Sequence, residues 1–225
     1  MRVLVVTAVA AEAGAVAATG DTDTLPRGGY ALTRTSGLHV LTAGVGPAAA
    51  AAATATALAL AAEPYALVVS AGIGGGFPGR APLGSLVVSD TIVAADLGAD
   101  TPDGYLPVDE LGFGRTVHRP PAALSAHAAE ALGATHAPVL TVSTVTGTAA
   151  RAAELAARHP RAAAEAMEGF GVAEAAAAHG VPVIEIRAVS NAVGPRDRAA
   201  WRIGDALDAL RDGFRRLTPV LEEHL

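Results

Sequence analysis

Glu12 stands where an apolar run, Val3–Ala8, gives way to an Ala-rich stretch that opens a helix. A carboxylate at the end of a first strand is placed to act as a general base, and equally placed to cap the helix, whose N-terminus favours negative charge. Glu168, in Met167-Glu168-Gly169, carries the same capping alternative. Its other reading is a carboxylate whose two oxygens grip a pair of adjacent hydroxyls. Asn191 closes the run Ile186-Arg187-Ala188-Val189-Ser190 and offers an amide that both donates and accepts. A solvated turn would also use Asn and Gly there, but Asn191 and Asp197 with Arg187, Arg196 and Arg198 are denser than a turn requires.

Two glycine clusters accompany these groups. Gly72, Gly74, Gly75 and Gly76 follow a Val-rich strand and expose backbone where a ligand can approach closely, unless the segment is simply a flexible loop. Gly44-Val45-Gly46-Pro47-Ala48-Ala49 imitates a dinucleotide fingerprint, with Glu63 about where a ribose-binding acid would stand. It follows the third strand-like run, however, and Pro47 takes a favoured first helical position. A tight strand-to-helix turn accounts for both glycines without NAD.

Composition narrows the chemistry. All 16 basic residues are Arg and there is no Cys, which excludes Schiff-base lysines, a Walker-type lysine, thiol nucleophiles and disulfides. The seven His are scattered without ligand spacing, so no metal is expected. A net charge of −6 argues against nucleic acid or an anionic membrane as partner. Arg2 and the following apolar run imitate a signal peptide, but Glu12 interrupts it, and Ala48–Ala62 is too weakly hydrophobic to span a membrane. A cytoplasmic enzyme is expected.

The elements that must position these groups alternate. Strand-like runs are Arg2–Ala8, Tyr30–Thr35, Leu38–Ala43, Ala66–Ala71, Ser85–Val93, Val139–Val145 and Val183–Ser190. Helix-like runs are Ala11–Ala18, Pro47–Ala62, Pro121–Leu132, Ala149–Arg158, Gly169–His179 and Ala199–Leu217. The pattern predicts one α/β domain over residues 1–225, with a mostly parallel sheet covered on both faces. Asp96–Pro120 is the one long irregular segment.

In order, Thr7–Glu12, Gly44–Gly46, Ser70–Phe77, Leu83–Asp90, Met167–Gly169 and Arg187–Asn191 resemble methylthioadenosine nucleosidases and the wider purine nucleoside phosphorylase family over nearly the whole chain. The resemblance implies a three-layer α/β sandwich whose central mixed sheet is partly barrel-like and flanked by helices. It implies that Glu12 activates water, that Glu168 binds the ribose hydroxyls with Met167 packed on the sugar, and that Gly46, Ile73, Gly74 and Gly75 contact the nucleoside. No organic cofactor is implied. A homodimer is, with Tyr105–Phe113 closing the 5′ side of a partner's site.

Phosphorylases of this family need an Arg-based anion site in the early loops, and Val9–Ala18 and Gly44–Ala53 contain no Arg or His. Hydrolysis is therefore expected over phosphorolysis; a non-catalytic nucleoside-binding protein is the alternative of another class. Adenine-cleaving relatives carry Asp where this chain has Asn191. An amide can donate to a 6-oxo group while accepting from N7–H, so hypoxanthine or guanine is the expected leaving base. Asn191, with Val193–Arg198 and Trp201–Ile203, resembles the branch that releases hypoxanthine from futalosine, a nucleoside of an alternative menaquinone pathway. The aryl carboxylate of that substrate needs a cationic or hydroxyl partner, for which Arg80, Arg115 and Arg196 are candidates.

Overall fold

A computed structural model describes residues 2–18, 20–35 and 37–224. In chain order the elements are β1 (Val3–Thr7), α1 (Ala10–Ala17), β2 (Asp21–Thr24), β3 (Ala31–Arg34), β4 (Leu38–Thr42), α2 (Pro47–Ala59), β5 (Leu67–Gly76) and β6 (Leu86–Ala94). There follow β7 (Gly98–Thr101), β8 (Gly104–Pro107), β9 (Val117–His118), α3 (Ala122–Leu132), β10 (Thr135–Thr141), α4 (Ala149–Arg158), β11 (Ala164–Ala166), α5 (Gly169–Ala178), β12 (Val183–Ala192) and α6 (Ile203–His224).

The main sheet runs β11-β10-β6-β12-β5-β1-β4-β3-β2, and β11 also pairs back onto β5. That last pairing closes β5, β12, β6, β10 and β11 into a ring, the barrel-like part of the sheet. The expectation of a mostly parallel sheet is corrected: β12 lies antiparallel to β6, and β11 antiparallel to β5. Around the ring β5 and β12 thus run one way and β6, β10 and β11 the other. Helices cover both faces. Val3, Val5, Val69, Val88 and Ile186 face α1, α3 and α6, while Leu4, Val6 and Val68 face α2 and α5.

Sequence pattern explains most of the elements. β1 is buried along its whole length, as a Val/Leu run between two helical layers must be. α6 buries Ala206, Leu210, Phe214, Leu217 and Leu221 on one stripe. It continues through Pro219 beyond the expected end at Leu217 because Leu221 anchors the last turn in the core. Its expected start at Ala199 is a short 3-10 turn, Arg198–Ala200, ahead of the helix.

Other boundaries differ for local reasons. The strand expected at Val139–Val145 is Thr135–Thr141, because Thr135–Ala137 pair with Val87–Ser89 despite their polar composition. Asp96–Pro120 is not wholly irregular: it folds into the β7–β8 hairpin and the short β9. The glycine cluster after Ala71 is a strand, not a loop. At Gly74 a Cβ would lie 2.7 Å from the Glu165 carbonyl oxygen, and at Gly76 2.4 Å from the Ala81 carbonyl oxygen, so glycine lets backbone approach β5 closely at both positions. Among the described residues no helix is long and apolar enough to cross a membrane.

Candidate active site

β1, β5 and β12 deliver their carboxyl ends to one cleft of about 320 Å³. Its lining includes Val9, Glu12, Val45, Ile73, Gly74, Gly75, Val145, Glu165, Met167, Glu168, Asn191 and Trp201. Seven of the eight residues singled out in the sequence thus line one space. The eighth, Gly46, enters through its backbone, which donates to Glu168 Oε1 at 3.2 Å.

Glu12 does cap its helix: Oε2 accepts the N–H groups of Ala8 at 2.9 Å and Val9 at 3.2 Å. Its other oxygen accepts the Ile73 N–H at 2.8 Å, which fixes the carboxylate against β5. Capping leaves lone pairs of the carboxylate free toward the cleft. Burial raises the Glu12 carboxyl above 4.5, opposed by the nearby Arg187 guanidinium and by the N–H donors. Gly72 makes room for it, because a Cβ there would lie 2.5 Å from Glu12 Oε1.

Glu168 makes no capping bond to α5. Besides Gly46 N–H, its carboxylate accepts from Arg187 Nη1 at 3.1 Å. The capping alternative is therefore set aside by geometry. Gly44 and Gly46 have φ of +91° and +96°, values that L side chains rarely adopt, and the Gly46 N–H is spent on Glu168. The dinucleotide-like pattern is thus a strand-to-helix turn that helps hold an acid.

Arg187 was quoted only as part of a motif, yet it organises the site. It is fully buried and donates to Glu185 Oε1 at 2.9 Å, Glu168 Oε2 at 3.1 Å and Ser70 Oγ at 3.0 Å. Glu185 is itself buried, and burial pushes its carboxyl up to about 7 against the pull of Arg187. One guanidinium thus serves Glu185 and Glu168 directly and Glu12 through space. The available signal was Ile184-Glu185-Ile186-Arg187-Ala188, a paired acid and base inside an otherwise apolar strand.

Glu165 and Thr146 were also missed. Glu165 Oε1 accepts the Thr146 N–H at 2.8 Å, and Oε2 accepts the Thr146 hydroxyl. Burial raises this carboxyl as well. Asn191 Oδ1 accepts from Ser190 Oγ at 2.9 Å, while Nδ2 donates to the Ala192 carbonyl at 3.1 Å.

The three cationic candidates for the substrate's carboxylate are not in the lining. Arg80 donates to the carbonyls of His159 and Ala162, and Arg115 pairs with Glu174 at 3.5 Å on the surface. Arg196 is exposed and stacks 4.9 Å from the ring centroid of Trp201, which itself lines the cleft. Tyr105 and Pro107 border a separate pocket with Arg158 and His159. Among the described residues no three His, Asp or Glu side chains stand together to hold a metal ion.

The chain is 64% identical over 228 residues to futalosine hydrolase from Streptomyces coelicolor, covering 99% of this chain and 97% of the relative. It is 48% identical over 224 residues to futalosine hydrolase from Acidothermus cellulolyticus, covering 95% and 89%. In fold it is similar to a 5′-methylthioadenosine/S-adenosylhomocysteine nucleosidase from Colwellia psychrerythraea solved with adenine. There the TM-score is 0.81 at 22% identity, over 99% of this chain and 95% of that one. The model of the phosphorylase superfamily matches residues 2–223. A cleft of buried carboxylates at the strand ends and a likeness that runs the length of the sequence meet in one assignment: the chain belongs to the phosphorylase superfamily, in its futalosine hydrolase family.

Proposed function

We propose that the chain, one catalytic domain over residues 1–225, hydrolyses the N-ribosidic bond of futalosine and releases hypoxanthine, a step of menaquinone biosynthesis. The observation that carries this reading is the cleft lining. It offers three acids, Glu12, Glu165 and Glu168, with the amide of Asn191, and no Arg or His among its described residues. Arg187 lies behind it, already committed to Glu185, Glu168 and Ser70. A phosphate co-substrate would meet carboxylates and no free cation; a water molecule meets a base.

In this mechanism Glu12 takes the proton of the attacking water, and its raised carboxyl makes it a better base than an exposed Glu. Glu168, held by Gly46 and Arg187, accepts the ribose hydroxyls and fixes the sugar as positive charge develops on it. Met167 packs against the sugar, and Ile73 to Gly75 form the wall along it. Asn191 donates to O6, where negative charge gathers on the departing base, and accepts from N7–H once the base has taken a proton there from solvent, its amide turned to suit that pattern.

The enzyme is proposed to work in the cytoplasm as a homodimer. Leu97, Leu106 and Phe113 are exposed around the β7–β8 hairpin, and Phe113 is 79% exposed. A second copy seated there would bury them and bring Tyr105–Phe113 toward its neighbour's site.

The substrate assignment is tested at Asn191. Wild type should prefer futalosine to methylthioadenosine strongly, because facing donors would leave a buried polar group unpaired, at about 1–3 kcal/mol. Asn191→Asp should move the ratio of kcat/KM values toward the 6-amino substrate by roughly tenfold or more. Equal cleavage of both nucleosides by wild type, or an unmoved ratio in the variant, would overturn the assignment.

A further inference from the structure

Of the acids around Arg187, namely Glu12, Glu168 and Glu185, only Glu185 stays out of the cleft lining. It stands two residues before Arg187 on β12, on the same face of the strand, while Ile184, Ile186 and Ala188 pack into the opposite core layer. Neither side chain is more than 1% exposed. Glu185 Oε1 accepts from Arg187 Nε at 2.9 Å, and Oε2 has no hydrogen-bond partner among the described residues. The carboxyl lies against the first residue of α5: a Cβ at Gly169 would stand 2.1 Å from Oε2. A helix start of this kind favours negative charge.

An acid so placed is required neither for packing nor for neutrality. Burying an ion pair seldom stabilises a fold more than apolar residues of the same size would. Arg187 already has a bonded counter-charge in Glu168 and a second, through space, in Glu12. Without Glu185, however, the whole charge of the guanidinium would fall on those two, the acids that face the sugar and the water. Positive charge develops on the ribose as its bond to the base breaks, and a Glu168 cancelled by its own brace would stabilise that charge weakly. We propose that Glu185 is a positioning residue that offsets Arg187 from behind the cleft. The guanidinium then holds Glu168 in place while Glu168 and Glu12 keep their negative charge toward the substrate. This rests on the ribose-binding role given to Glu168 above.

The surroundings say when the offset operates. The charges that bear on Glu185 are those of Arg187 and Glu168, and the same two bear on Glu12. β5 and β6 contribute hydroxyls only: Ser70, which accepts from Arg187 Nη2, and Ser89, which accepts the Glu185 N–H. Burial pushes the Glu185 carboxyl up to about 7 against the pull of Arg187. Its charge is therefore present above that pH and is lost as the pH falls through it. Below it, wild type stands where Glu185→Gln stands at every pH.

The test is the pH dependence of kcat for futalosine in wild type, Glu185→Gln and Ser70→Ala, with Tm measured for each. Glu185→Gln keeps an acceptor for Nε and removes only the charge. Well above the Glu185 titration, wild type should exceed it by about tenfold in kcat with KM nearly equal, the scale of one unit charge acting across several ångströms of protein interior. The two should converge as the pH falls through about 7. Ser70→Ala loosens the same guanidinium without changing charge, and should lower kcat by a factor that does not vary with pH. The proposal is overturned if Glu185→Gln matches wild type at high pH, or if their ratio is the same at every pH. Should Glu185→Gln not fold, wild type and Glu165→Gln decide. A step in kcat near 7 that survives Glu165→Gln supports the offset; no step, or one lost in that variant, overturns it. Futalosine turnover without this behaviour removes the role of Glu185 alone. Absence of any turnover by wild type removes the functional reading, and this proposal with it.

Discussion

Three acids around one guanidinium set the chemistry at the scale of single residues. Arg187 bonds Glu185 and Glu168 and neutralises Glu12 only through space, so Glu12 keeps a raised carboxyl while Glu168 is pinned in place. Glu12→Gln should reduce kcat by about 10²–10⁴-fold, the usual contribution of a general base, with nucleoside affinity nearly kept. The pH profile carries the same claim. A base must be ionised, and burial raises the Glu12 carboxyl above 4.5, so the acid limb of kcat/KM should fall at a pH above 4.5 rather than at it. Near-normal turnover in Glu12→Gln would leave Glu12 as the helix cap it also is. Glu12, Glu168 and Asn191 were legible because each interrupts a pattern at the end of an element. Glu165 was not, because its neighbours in Ala162–Met167 read as one more Ala-rich stretch and only the pairing of β11 with β5 brings it to the cleft. Arg80 and Arg115 were misjudged for the converse reason: charge is visible in a sequence, but the carbonyls and acids that already occupy it are not.

Among the elements, close approach does the positioning. α2 and α5 meet where Gly171 has no side chain: a Cβ there would stand 2.0 Å from the Pro47 carbonyl oxygen. Pro47 follows Gly46, whose N–H holds Glu168. Gly171→Ala must therefore push the start of α2 away from α5, at a cost of about 1–3 kcal/mol for an overpacked contact. The expected result is a lower Tm together with a raised KM, because the same shift loosens the turn that fixes Glu168, the acid proposed to bind the ribose. A lower Tm with an unchanged KM would separate this packing from the site. Five of the six helices were legible to within three residues at each end, as with Ala149–Arg158, because propensity and capping are local; α6, whose ends depend on tertiary packing, was not. Strand ends were less so. Whether Gly72–Gly76 is loop or strand depends on β11 and β12 arriving beside it, which no local pattern records.

For the whole molecule, the ring closed by β11 on β5 brings the carboxyl ends of strands distant in sequence to one cleft, while Leu97, Leu106 and Phe113, in and beside the β7–β8 hairpin, are exposed. Those residues are the proposed dimer contact. Light scattering should give twice the 22.3 kDa chain mass, and Leu106→Glu with Phe113→Glu should halve it and raise the KM for futalosine. A wild-type mass of one chain, or a variant unchanged in mass, would place the contact elsewhere or remove it. The central claim is that a carboxylate-lined, cation-free cleft delivers water to the ribose of a 6-oxopurine nucleoside. Its most direct test is turnover of futalosine in ¹⁸O-water, with and without phosphate. The account predicts free hypoxanthine at the same rate in both, with one ¹⁸O in the freed sugar. Phosphate-dependent release with a sugar phosphate as product, or binding without any release of base, would contradict it.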